Sequence, residues 1–129
     1  MTISRTMSHD HGECDDIFFN LESCINEKDW DCVQDSVRRF VDAMEKHFGI
    51  EENILFPAFE QASMIQGGPA AMMRMEHIQM RQLFEELLKA AETKDHRDLI
   101  GVWETLQIMM QQHNMKEESI LYPMIDRTL

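Results

Sequence analysis

No stretch of this chain is long and apolar enough to cross a bilayer, and the N-terminal MTISRTMSHDHGECDD lacks the apolar core of a secretion signal. These absences predict a cytoplasmic protein without a membrane partner. Basic residues are scarce: 12 Lys and Arg stand against 24 Asp and Glu, a formal charge of −12. Phosphate backbones and anionic lipid surfaces both repel such a chain, which argues against nucleic acid and against a polybasic anchor. Only 3 prolines and 5 glycines interrupt it, and no segment shows the two-residue alternation of a strand. Cysteine is sparse too. Cys14, Cys24 and Cys32 make an odd count with no C-x-x-C spacing, so three free thiols are expected rather than a disulfide frame or a zinc knot.

What remains is 129 residues, 43% of them hydrophobic, enough for one packed core. A single domain over 1–129 is expected, with a short N-terminal arm at about 1–9. The 12 methionines read as adaptable core filling.

The chain repeats itself. Residues 47–57 read HFGIEENILFP and residues 113–123 read HNMKEESILYP, an offset of 66. His11 and His77 share that offset, as do Phe18 and Phe84, Leu21 and Leu87, and Met44 and Met110. Apolar residues recur at steps of three and four, the helical period. Asp29 and Asp95 stand where N-caps belong, and Gln66-Gly67-Gly68-Pro69 breaks the chain in the middle. The pattern predicts helices at about 10–26, 29–63, 69–92 and 95–127, with Pro57 and Pro123 kinking or ending the second and fourth. Short connections then give an all-α, up-down-up-down antiparallel four-helix bundle with an internal two-fold repeat.

His47 and Glu51, and again His113 and Glu117, are four residues apart and share a helix face. His11 and His47 lie 17 and 19 residues from a turn centred near residue 28; His77 and His113 lie at the same distances from one near residue 94. At ~1.5 Å of rise per residue all four sit at one level of the bundle. A lone buried histidine is usually a core residue. Six residues repeated in register at one level predict a metal site instead: His11, His47, Glu51, His77, His113 and Glu117. Imidazole with carboxylate suits iron, manganese or zinc, and two bridging glutamates would set two ions side by side. Glu52 and Glu118 lie ~100° further round their helices, facing away or buttressing the ligands from behind. His96 is expected on the surface at the far turn, and His9 is a weaker substitute for His11.

These residues, over nearly the whole chain, resemble the hemerythrin-like, HHE-type cation-binding domains. The family pattern is a histidine on helix one, H-x-x-x-E on helix two, histidine on helix three and H-x-x-x-[E/D] on helix four. The resemblance implies an oxo- or hydroxo-bridged pair of iron ions, bridged by Glu51 and Glu117 with the histidines as terminal ligands. It also implies a bacterial type with six protein ligands. Oxygen-carrying hemerythrin has a second helix-three histidine, where this chain has Met73 and Arg81 at the neighbouring positions. It also has an aspartate five residues after the helix-four histidine, where this chain has Glu117 four after.

Such a centre leaves about one coordination position open per ion and, when diferric, a residual charge of about +2 that favours anions. The expected partner is a small diatomic ligand, dioxygen or nitric oxide, or an anion. The expected role is sensing, delivery or protection by a binding protein. The alternatives are a di-iron oxidoreductase acting on peroxide or nitric oxide, and an iron donor in iron–sulfur cluster repair. Phe18, Phe40, Phe84, Met44, Met110, Leu106, Ile54 and Ile120 are expected to wall the pocket, and Cys14, one turn from His11, is a candidate reactive thiol.

Overall fold

The computed structural model describes residues 2–64 and 68–129, and among them there is helix and turn but no strand, as a four-helix bundle requires. Four helical rods make up the described residues. The first is α1 (Ile3–Glu27), and the second is α2 (Trp30–Ile50) continued by α3 (Phe56–Ser63). The third is α4 (Gly68–Thr93), and the fourth is α5 (His96–Lys116) continued by α6 (Tyr122–Thr128). Gln66 and Gly67 of the expected break lie outside the described residues; Gly68 and Pro69 open α4.

The two tight turns are built alike. Lys28 and Lys94 take left-handed φ values of 54° and 57°, ending α1 and α4. Lys28 N–H donates to Ile25 O and Asp29 N–H to Cys24 O; Lys94 N–H donates to Ala91 O and Asp95 N–H to Ala90 O. Both turns therefore satisfy the last helical carbonyls in the Schellman manner. The Asp29 and Asp95 side chains accept from Cys32 N–H and Asp98 N–H, capping the helices that follow. His96, expected on the surface, is half-buried at this end and donates from Nε2 to Ile25 O.

Three free thiols were expected, but the fold pairs two of the cysteines. Cys24 near the end of α1 and Cys32 at the start of α2 are joined by a disulfide, and only Cys14 is free. A spacing of eight has no meaning along the chain, but folded over the Lys28 turn it brings the two Cα atoms to 5.7 Å, within bridging range.

Helix α1 starts at Ile3, well before residue 10, so the segment read as an arm is helical. Thr2 caps it by accepting from Arg5 N–H. The Asp126 carboxylate accepts from Ile3 N–H at 3.0 Å and from the Ser4 hydroxyl. Met7 is buried against a cluster that includes Tyr122 and Ile125. Tertiary packing from α6 thus extends the helix beyond what its own periodicity supports.

The prolines neither end nor simply kink their rods. A π-helical turn, Glu51–Leu55, links α2 to α3, and its counterpart Glu117–Leu121 links α5 to α6. Proline lacks an N–H and its ring crowds the carbonyl four residues back. Widening the preceding turn accommodates that loss: Phe56 N–H donates to Glu51 O, and Tyr122 N–H to Glu117 O. Each widened turn begins at one of the two repeated glutamates.

Two apolar clusters fill the interior. The larger holds Phe18, Phe40, Phe48, Phe84, Trp103 and Leu106; the smaller holds Met7, Phe56, Phe59, Met73, Tyr122 and Ile125. Along every rod, the repeated histidines and glutamates fall between residues of one cluster and residues of the other. A polar layer is thereby enclosed between two apolar ones.

Candidate metal centre

All six residues singled out by the repeat meet in that layer, and none is more than 4% exposed. Ligand atoms of Glu51, His77, His113 and Glu117 lie within 4.8 Å of one another, and so do those of His11, His47 and Glu117. Each group could hold a metal ion. The histidines pair within each half of the chain: ring centroids are 4.5 Å apart for His11 and His47 and 4.9 Å apart for His77 and His113. The two glutamates join the pairs. Glu117 Oε1 is 3.0 Å from His11 Nε2 and 3.2 Å from His113 Nε2, while Glu51 Oε1 is 3.4 Å from His47 Nε2 and 3.3 Å from His77 Nε2.

Burying this much polarity without partners is costly. Yet Glu51 Oε1, His77 Nε2, His113 Nε2 and Glu117 Oε2 make no hydrogen bond. They belong to residues whose ligand atoms converge, and they are lone-pair donors of the kind borderline metal ions take. The donor set therefore fits a cation.

Electrostatics agree at the two glutamates, His77 and His47, whereas at His113 burial is outweighed by hydrogen bonds and charge from Glu117 and Glu76, which raise it. Burial raises the Glu51 carboxyl, with its hydrogen bond to Glu117 and the Glu117 charge adding to the shift. Burial also works against ionised Glu117, but hydrogen bonds from Glu51 and His11 and the nearby His113 hold its carboxyl well below the usual range. Without a cation the pair cannot hold both negative charges, so one carboxyl keeps a proton. Burial and the neighbouring His113 push His77 down to about 4, which leaves its ring neutral and able to bind metal. Burial and His11 lower His47 in the same way.

Carboxylates stand behind the rings. His47 Nδ1 is 2.6 Å from Asp10, His77 Nδ1 2.6 Å from Glu52 and His113 Nδ1 2.8 Å from Glu76. Each Nδ1–H donates outward, which turns the Nε2 lone pair inward. Glu52 thus supports a candidate ligand, His77, from behind. Asp10 and Glu76 were missed, although they share the 66-residue offset and each directly precedes a site histidine. His11 differs: its Nδ1 is 3.6 Å from Glu118 and has no hydrogen-bond partner. Asp10→Asn, Glu52→Gln or Glu76→Gln should each weaken metal retention roughly 10- to 100-fold, and Glu118→Gln by less. Chelator competition followed by metal analysis measures this; equal losses at all four positions would refute the asymmetry.

Tyr122 was also missed. It is fully buried, and its hydroxyl is 2.7 Å from Glu51 Oε2, 3.0 Å from Glu117 Oε1 and 3.1 Å from His11 Nε2. Burial and the charges of Glu117 and Glu51 raise the phenol, so it stays protonated and donates. The repeat held the signal: Tyr122 aligns with Phe56, and the hydroxyl is the difference between them.

Other expectations divide. Phe18, Phe40, Phe84, Met44, Met110 and Leu106 are buried as expected, but Ile54 and Ile120 are 61% and 54% exposed. They sit in the widened turns, on the side away from the inward-facing glutamates. Cys14 is buried, and burial, with Asp10 and two further carboxylates adding, pushes its thiol up to about 12, so it is not poised as a nucleophile. His9 faces solvent beside Glu13, away from the ring. Met73 packs in the smaller cluster, and Arg81 pairs with Glu45 and Glu52. No helix is long and apolar enough to cross a membrane among the described residues.

A family model described as Hemerythrin HHE cation binding domain matches residues 2–126. No curated protein and no solved structure gives a match.

Proposed function

From a chain that belongs to the hemerythrin HHE cation-binding family, we propose a single-domain, six-ligand di-iron protein that reversibly binds dioxygen or nitric oxide for sensing, delivery or protection. The observation that carries this reading is the set of buried, converging carboxylate oxygens and ring nitrogens without hydrogen-bond partners. In this reading the rods run up-down-up-down, and His11, His47, His77, His113, Glu51 and Glu117 would together hold the two ions. A reduced pair of iron ions held there would supply electrons and open positions for a small diatomic ligand or an anion.

The protein's own residues then set the conditions. The two apolar clusters above and below exclude water, which strengthens polar interactions inside. Asp10, Glu52 and Glu76 hold three rings in the tautomer that offers Nε2. The Tyr122 hydroxyl stands among His11, Glu51 and Glu117 and can donate a hydrogen bond to an anion or diatomic held there.

The same hydroxyl favours a second reading, turnover of peroxide or nitric oxide, because it is a buried proton donor beside the ligands. Mixing the reduced, iron-loaded protein with dioxygen in stopped flow distinguishes the two. A long-lived charge-transfer band that disappears on removing oxygen is the expected result. Immediate return to the oxidised spectrum with release of hydrogen peroxide would replace binding with turnover. Absence of any oxygen- or nitric-oxide-dependent band would remove both.

A further inference from the structure

The 66-residue repeat gives each surface of one half a counterpart in the other, and one pair of counterparts is unlike. Between α2 and α4, Arg81 closes the surface. Its guanidinium bonds Glu45 at 2.8 Å and Glu52 at 2.9 and 3.1 Å, and it lies 5.2 Å over the buried Phe48 ring. The counterparts of Arg81, Glu45, Phe48 and Glu52 are Asp15, Gln111, Asn114 and Glu118. They line an open groove of about 450 Å³ between α1 and α5, with Phe18 and Phe19 on its wall.

The exchange reverses the electrostatics. Where one face has a cation held between two carboxylates, the groove has two carboxylates, the amides of Gln107, Gln111 and Asn114, and no cation among its lining residues. Burial pushes the Asp15 carboxyl up; nearby His11 partly offsets this, and Glu118 adds to it. A second, independent sign lies behind the groove. Glu52, held by Arg81, accepts from His77 Nδ1 at 2.6 Å. Glu118, with nothing to hold it, stands 3.6 Å from His11 Nδ1, and that atom, in a residue only 4% exposed, has no hydrogen-bond partner.

We propose that this groove is a binding site for a guanidinium group, which sits between Asp15 and Glu118 against Gln111 and Phe19 and takes the part that Arg81 plays on the opposite face. A planar fork of N–H donors can bond a carboxylate in pairs and lie on an aromatic ring at once. A divalent ion fits less well: neither cluster of potential metal ligands includes Asp15 or Glu118, and the groove is far larger than an ion. An occupant that holds Glu118 as Arg81 holds Glu52 would bring that carboxylate onto His11 Nδ1.

Methylguanidinium titrated into the metal-loaded protein by calorimetry at low salt tests the site. Saturable binding of one equivalent is expected, weakened roughly tenfold or more by Glu118→Gln and by Asp15→Arg. Asp15→Arg should also raise the melting temperature, because it supplies the guanidinium covalently. Methylammonium should bind more weakly than methylguanidinium. A blocked Gly-Arg-Gly peptide identifies the source: tighter binding than methylguanidinium points to an arginine side chain of a partner, and equal binding to a free guanidino compound. Absence of saturable binding by either probe, or binding that both variants retain unchanged, would overturn the proposal. So would a fall in melting temperature for Asp15→Arg.

Discussion

Replacing Glu51 or Glu117 with alanine will leave a protein that no longer retains the two metal ions proposed for each chain. Both carboxylates are fully buried and face histidines of both pairs, so either loss opens both halves of the site at once. Removing a ligand also leaves a cation undercompensated in an apolar enclosure, a larger penalty than the loss of one bond. Metal analysis of each purified variant should fall clearly below two, with bleaching of the near-ultraviolet bands of the loaded centre. Because metal binding and folding are linked, the melting temperature of the loaded variant should approach that of the apo protein. Two ions retained in both variants would mean that these glutamates are not the bridging groups.

Phe48→Ala will cost about 3–5 kcal/mol of unfolding free energy, the range for emptying a fully packed aromatic position. Phe48 is 0% exposed and its ring stacks on His77 with centroids 3.7 Å apart, so it packs the core and also fixes the orientation of a site histidine. On its other side lies the Arg81 guanidinium. Asn114, at the same place in the second half, lines an open groove, and Asn114→Ala should change stability by no more than about 0.5 kcal/mol. Urea titrations of the loaded proteins give both numbers. A loss below 1 kcal/mol for Phe48→Ala, with an unchanged denaturant slope, would show that the ring is not part of the cooperative core.

The two predictions draw on different information. The first was readable from the chain: an imidazole and a carboxylate four residues apart share a helix face whatever surrounds them, and a second copy at the same offset makes coincidence a poor explanation. The helical period, the aspartate caps and the turns before them were legible for the same reason, since each depends on interactions within a few residues. The six residues that meet in the polar layer, the helical class and the likeness to the HHE family were named from the sequence alone.

What the sequence did not disclose depends on residues far apart in the chain or on backbone that departs from the regular helix. The helical start at Ile3 needs Asp126, more than 120 residues away. The widened turns at Glu51 and Glu117 answer Pro57 and Pro123, and they leave Ile54 and Ile120 facing solvent although the regular period had placed them inward. Cys24 and Cys32 became partners only when a turn folded one helix onto the next. Tyr122, Asp10 and Glu76 join the site only because the packing of the rods brings glutamates and imidazoles within their hydrogen-bond reach. The repeat marked which side chains belong together because helical spacing is local. Which of them lie within bonding distance, and which copy of the interface is closed by a cation, was decided only by the packing of one rod against another.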